Sequence, residues 1–247
     1  MKSLLNILML TTVITFSASK SHAGLFMDIE GGIVSSGYND VRIPGDVGTD
    51  ISLTDDLKSE SPGFFRLRLG INLSERSRLS LLIAPLRIKG SGVVDRNIDY
   101  NGISFQSGEY LSSLYRFDSY RLSYSYRLVQ SRNLGFDIGI TAKIRDAAIK
   151  IEGDNNRSEK TNTGFVPLVN FSMDWSITHK FGLLISGDAL AAPQGRAEDI
   201  LIAFYNNISE KVRLRLGYRI LEGGADNDEV YNFALAHYLS TGLSITF

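Results

Sequence analysis

The sequence predicts an all-β fold: a transmembrane, up-and-down antiparallel β-barrel of about ten strands. Three observations point there. Apolar and polar residues alternate through segment after segment, which is the period of a strand with two different faces. Short polar connections take turns with long ones along the chain. The chain stops on such a strand, HYLSTGLSITF. Leu239, Leu243, Ile245 and Phe247 share one face of it, and Tyr238, Ser240, Gly242, Ser244 and Thr246 share the other.

Residues 1–23 read as a cleaved secretory signal. Lys2 precedes an apolar stretch from Leu4 to Phe16, and Ser21-His22-Ala23 supplies the small residues of a cleavage site. The stretch is short for a membrane-spanning helix. Residues 24–247 then form a single barrel domain. The signal carries two of the 26 basic residues, Lys2 and Lys20, and none of the 27 acids, so the remainder has a net charge of −3. That balance excludes a globally basic nucleic-acid binder. There is no cysteine, so disulfides contribute nothing to stability. After Phe16 no apolar run is long enough for a membrane helix.

Ten strands are expected near 24–36, 62–74, 77–90, 113–129, 133–151, 163–177, 180–192, 198–208, 211–222 and 229–247. In KVRLRLGYRI, Val212, Leu214, Leu216, Tyr218 and Ile220 alternate with Arg213, Arg215, Gly217 and Arg219. SYRLSYSYRL, LGFDIGITAKIR and FFRLRLGINL repeat the arrangement. The third strand is irregular because Pro85 interrupts it and shifts the phase, which predicts a bulge or kink. The turns SERS, QSRN, THK and SEK fall on one side. The connections 37–61, 91–112, 152–162, 193–197 and 223–228 fall on the other. A soluble sandwich or lipocalin-type barrel would turn the apolar face inward. Here that face is nearly unbroken and studded with Tyr, Phe and Trp175, whereas the polar face holds small residues and isolated charges. Trp175, just before the THK turn, suits an aromatic belt at the inner boundary.

On the signal, the alternating strands and the terminal strand together, the chain resembles the bacterial outer-membrane β-barrel proteins. The resemblance implies a Gram-negative cell envelope and residence among outer-membrane lipid and lipopolysaccharide. It also implies that Phe247, with Ile245 and Leu243, is the signal read by the barrel-assembly machinery. It does not reach a family of known activity.

The polar face then lines the lumen. The basic residues expected there are Arg66, Arg68, Arg121, Arg127, Lys143, Arg145, Arg213, Arg215 and Arg219, and the acids are Asp28, Glu30, Asp137, Asp174 and Asp188. A ten-stranded barrel is little wider than one filled by its own side chains. The first expectation is therefore a non-enzymatic barrel with a filled, Arg-rich lumen, acting structurally or through its outer loops. The second is a narrow, porin-like anion channel, because basic lumens select anions. A barrel hydrolase is the third. Outer-membrane proteases of the ten-stranded type require paired aspartates and an Asp–His pair at the loop side. His179 lies in a short turn and His237 shares the lipid face with Phe247, near its outer boundary. In His237-Tyr238-Leu239-Ser240 the histidine and serine face opposite sides, against what a lipid-A deacylase requires. No catalytic residue is assigned. Two acidic loops carry Asp40, Asp46, Asp50, Asp55, Asp56 and Glu60, and Asp226, Asp228 and Glu229. Neither has the spacing of a dedicated calcium site, so they read as solvated loops, and neither metal nor cofactor is expected. No patch on the lipid face indicates an oligomeric state.

Overall fold

The computed structural model describes residues 24–192 and 195–247, and the expected signal lies outside the described residues. The strands are β1 (Leu25–Arg42), β2 (Ile51–Ser52), β3 (Gly63–Asn72), β4 (Ser77–Ala84), β5 (Arg87–Val93), β6 (Ile98–Tyr100), β7 (Ile103–Phe105), β8 (Tyr110–Gln130), β9 (Leu134–Glu152), β10 (Arg157–Ser176), β11 (Phe181–Ala192), β12 (Gly195–Asn207), β13 (Val212–Asn227) and β14 (Val230–Thr246). Successive wall strands pair antiparallel, and β14 returns to pair with β1 from Phe26↔Thr246 to Arg42↔Tyr231. With β4 and β5 sharing one place beside β8, the wall has ten strands and is closed. The Phe247 backbone N–H donates to the Leu25 carbonyl at 2.9 Å, so the ladder between the first and last wall strands runs to its end.

Alternation sorts the side chains as an inverted protein. Ile140, Phe165, Phe204 and Leu239 stand 62–69% exposed on the outside, while Arg121 and Asp199 are 1% and 2% exposed within. An apolar belt of this extent is incompatible with water as its solvent. Charged pairs reappear on the outward face immediately beyond Tyr120 and Ile144. Arg87 clasps Asp118 through two bonds of 3.0 and 2.8 Å, and Arg116 pairs with Asp146 at 3.2 Å. From Tyr120 down to Leu128 a strand tilted by about 40° climbs about 20 Å, near the height of an outer-membrane apolar band. Trp175 is exposed at the opposite rim, beside the short turn.

Pro85 and Leu86 interrupt the wall between β4 and β5. Proline has no N–H for the ladder. The break is compensated by the Asp118 carboxylate, which accepts from the Leu86 N–H at 3.2 Å, and by the Phe117 N–H, which donates to the Leu86 carbonyl.

Three connections expected to be loops are shorter than their sequence suggests. The 152–162 connection shrinks to Gly153–Asn156. Most of 223–228 is strand, closed by Asp228 and Glu229 under the Asn227 carboxamide, and β12 already begins at Gly195. The wall continues above the membrane, where both of its faces can be polar, and a strand wet on both sides shows no apolar alternation.

The two longest connections are not solvated loops. Ile43, Ile51, Leu53 and Leu57 from one, and Val94, Ile98, Tyr100 and Phe105 from the other, are buried together with Val34, Ile88, Leu111, Tyr115, Ile149, Ile151 and Tyr238 of the wall. They form an apolar core inside the outer mouth. The hairpin β6–β7 turns at Asn101-Gly102, both at positive φ (48° and 81°), the geometry that an Asn-Gly pair favours. Gly90 and Gly92 let the other segment approach: a Cβ at Gly92 would lie 2.2 Å from the Asp56 carbonyl oxygen. Most acids of these segments are exposed, and some are paired with arginines. Asp50 pairs with Arg42, and Asp56 with Arg96 at 2.7 Å. Hydrogen bonds from Arg96 hold the Asp56 carboxyl below the usual aspartate range. Among the described residues no group of three acidic or histidine side chains is placed to hold a metal.

Ile140 sits at mid-belt, opposite Tyr124 and Val169. Ile140→Arg should lower the stability of the barrel in lipid bilayers by about 2–4 kcal/mol, measured by urea unfolding, because a charge at that depth faces hydrocarbon.

Candidate functional site: the charged lumen

Below the apolar core the lumen changes character. One layer is a network of ions drawn from most sides of the wall. Asp199 on β12 lies at its centre. It accepts from Arg66 of β3 at 2.9 Å, from Arg121 of β8 at 2.6 Å and from Arg219 of β13. Glu30 on β1 holds Arg219 through two bonds of 2.8 and 2.7 Å and accepts from Ser240 at 2.8 Å. Asp188 on β11 accepts from Arg121 at 2.7 Å, from Thr141 at 2.6 Å and from Asn170 at 2.9 Å. These groups are all buried except Asn170, which is half-buried. Multiple charge-assisted bonds compensate the loss of water that burying such ions demands.

Closer to the short-turn end the packing opens into a cavity of about 440 Å³. Asp28 faces Arg215 at 2.6 Å, Asp174 faces Arg213 at 2.6 Å, and Asp137 faces Arg127. Arg213 also lies over the Tyr205 ring, 3.7 Å from its centre. Lys143 is buried between layers with its ammonium over the Phe117 ring at 4.7 Å, and Arg145 donates to Asn162. Arg68 donates to Ser80 at 3.0 Å.

At the two ends of the wall, Phe247 is 66% exposed on the outer face, on the side of Leu243 and Ile245. His237 is half-buried on that same face, with its Nδ1 bonded to the Tyr218 hydroxyl. His179 lies in the turn between β10 and β11.

No family model matches the chain, and no curated protein matches it. Solved structures do share its architecture. The outer-membrane protease OmpT of Escherichia coli superposes with a TM-score of 0.58 at 9% identity, over 91% of this chain and 97% of that one. The transport unit of the autotransporter AIDA-I of Escherichia coli gives 0.50 at 9% identity, over 96% and 94%.

The fold is that of the bacterial outer-membrane β-barrels.

Within this outer-membrane barrel two lumen residues escape the sequence reading. Asp199 falls at the edge of the segment assigned from 198. Its strand also carries Leu201, Ala203 and Tyr205 inward and Ile200, Ile202 and Phe204 outward, so alternation does not tell the faces apart. Arg78 belongs to the strand whose phase Pro85 obscures. It donates to Asn72 at 3.1 Å and lies 4.9 Å from the centre of the Phe26 ring. The inward spacing Arg78-Ser80-Leu82, continued from Arg68 across the short SERS turn, is the signal that could have found it.

Asp199→Ala should be the most damaging single truncation in the lumen. It leaves three buried guanidiniums short of a counter-charge and should cost about 3–5 kcal/mol in urea unfolding. Asp199→Asn, which keeps the shape, should still lose most of that.

Proposed function

We propose that this barrel resides in the outer membrane as a non-enzymatic protein with a closed lumen, working through its outer mouth and its wall rather than as a conduit. The observation that carries the reading is the double obstruction. An apolar core with Tyr100, Ile98, Phe105 and Leu57 fully buried fills the outer half. Beneath it the Arg–carboxylate network spans from β1, β3 and β8 to β11, β12 and β13. A pocket of about 10 Å³ lies between these layers, lined by Phe64, Arg66, Arg121 and Tyr238 among others, with room for about one water. Lipopolysaccharide is the expected neighbour of the outward charged ring that includes Arg87 and Arg116.

A second reading, a narrow anion-preferring channel, is favoured by one observation: basic side chains outnumber acids along the lumen, and a cavity already enters from the short-turn end. Conduction would require the network to part. Purified protein in planar bilayers should be silent at molar chloride. Chloride-selective steps that weaken in Arg213→Glu or Arg215→Glu would establish the channel instead.

Phe247, projecting into the lipid at the end of β14, is proposed as the recognition element for the assembly machinery. Deleting it should reduce the heat-modifiable, folded fraction recovered from outer membranes several-fold, while the same variant refolds in detergent. Equal membrane yields for the two chains would remove that role.

A further inference from the structure

We propose that the cavity at the short-turn end is a binding site for a small multivalent oxyanion of the phosphate or carboxylate type, held by Arg68 and Arg78. The proposal does not depend on whether the barrel conducts.

The cavity reaches from the network at Glu30, Arg66 and Asp199 to the turn that carries Ser209, Glu210 and Lys211. Its volume of about 440 Å³ equals about fifteen waters in bulk, enough for a small organic polyanion. Its carboxylates are already committed. Asp28, Glu30, Asp137, Asp174, Asp188 and Asp199 each hold at least one arginine. Among the described residues a cation would find no carboxylate inside the cavity without an arginine partner, since Glu210 lies exposed at the rim beside Lys211.

The basic side is different. Among the described residues, neither Arg68 nor Arg78 has a carboxylate within 4 Å, although both line the cavity. A guanidinium offers five N–H donors. Arg68 spends one on the Ser80 hydroxyl and Arg78 one on the Asn72 carboxamide. They stand on adjacent strands of the same inward face, with Arg68 opposite Leu82 and Asn72 opposite Arg78. Phe26 packs against Gly70 between them, where a Cβ would lie 2.3 Å from the ring, and the ring supports the Arg78 guanidinium. Arg78 is exposed and Arg68 half-buried along the wall of one cavity. Asp28 and Asp188 act on Arg68, and Asp137 and Asp174 on Arg78, only from beyond ion-pair distance. Two such forks are matched by an oxyanion that accepts two parallel bonds from each. Chloride cannot use that geometry.

The test is isothermal titration of citrate, and separately of inorganic pyrophosphate, into the purified barrel in neutral detergent at low salt. The expected result is saturable one-to-one binding of at least one of them. Binding should weaken at least tenfold in the double variant Arg68→Gln/Arg78→Gln and remain unchanged in Arg42→Gln, which alters an outer-mouth arginine. Heat-modifiable mobility reports whether each variant is folded. Should the double variant lose it, Arg78→Gln alone carries the comparison, with the same tenfold loss expected. Absence of saturable binding of both anions to the wild type would overturn the proposal, as would a folded variant that binds as the wild type does.

Discussion

Everything in this molecule follows from hydrogen-bonding a backbone in a medium that offers no partners. In hydrocarbon each unmade N–H or C=O bond costs several kcal/mol, so an open sheet edge is not tolerated. The register of β14 on β1 removes the last edge, and the Phe247 N–H is used in doing so. Once closed, the wall has only two environments. Its outward positions can be apolar without penalty, and whatever is polar has to go inside or above the belt. The break in the ladder at Pro85 lies at the outer boundary, where a carboxylate can supply the missing acceptor.

Charges confined to a narrow lumen have few choices. An isolated guanidinium or carboxylate there would be costly, and a pair with complete hydrogen bonds is tolerable. The wall resolves this by recruiting ions from distant strands. Asp199 draws guanidiniums across the lumen from β3, β8 and β13, which ties remote parts of the sheet to each other. A hydrophobic filling of equal volume could be as stable as such a layer. The ions also divide the lumen. Outward of them the filling is apolar. Toward the short turns it is polar and hollow, with two arginines left over.

Above the membrane the rules relax. Water satisfies backbone groups again, so segments outside the wall can leave the sheet. They return to the mouth because Ile51, Leu53, Leu57, Ile98, Tyr100 and Phe105 have no lipid to contact at that height. Their acids remain at the surface, where Arg42 and Arg96 meet them.

The amino-acid order alone determined the wall. A period of two is local, and the polar breaks between alternating segments mark where each strand turns back; ten strands, the irregularity at Pro85 and the exposed end at Phe247 are all readable from it. The Asn101-Gly102 hairpin was written there too, but its apolar residues lie in a segment rich in turn formers and charges, which masks them. What only the tertiary structure decided is who meets whom across the lumen. Alternation assigns a residue to a face, but partners such as Arg66 and Asp199 stand 133 positions apart, and their meeting depends on the radius and stagger of the closed cylinder. The same holds for the hollow beneath them. Whether an inward arginine finds a carboxylate across the lumen is fixed by closure, and Arg68 and Arg78 instead bond within their own β3–β4 hairpin, to Ser80 and Asn72.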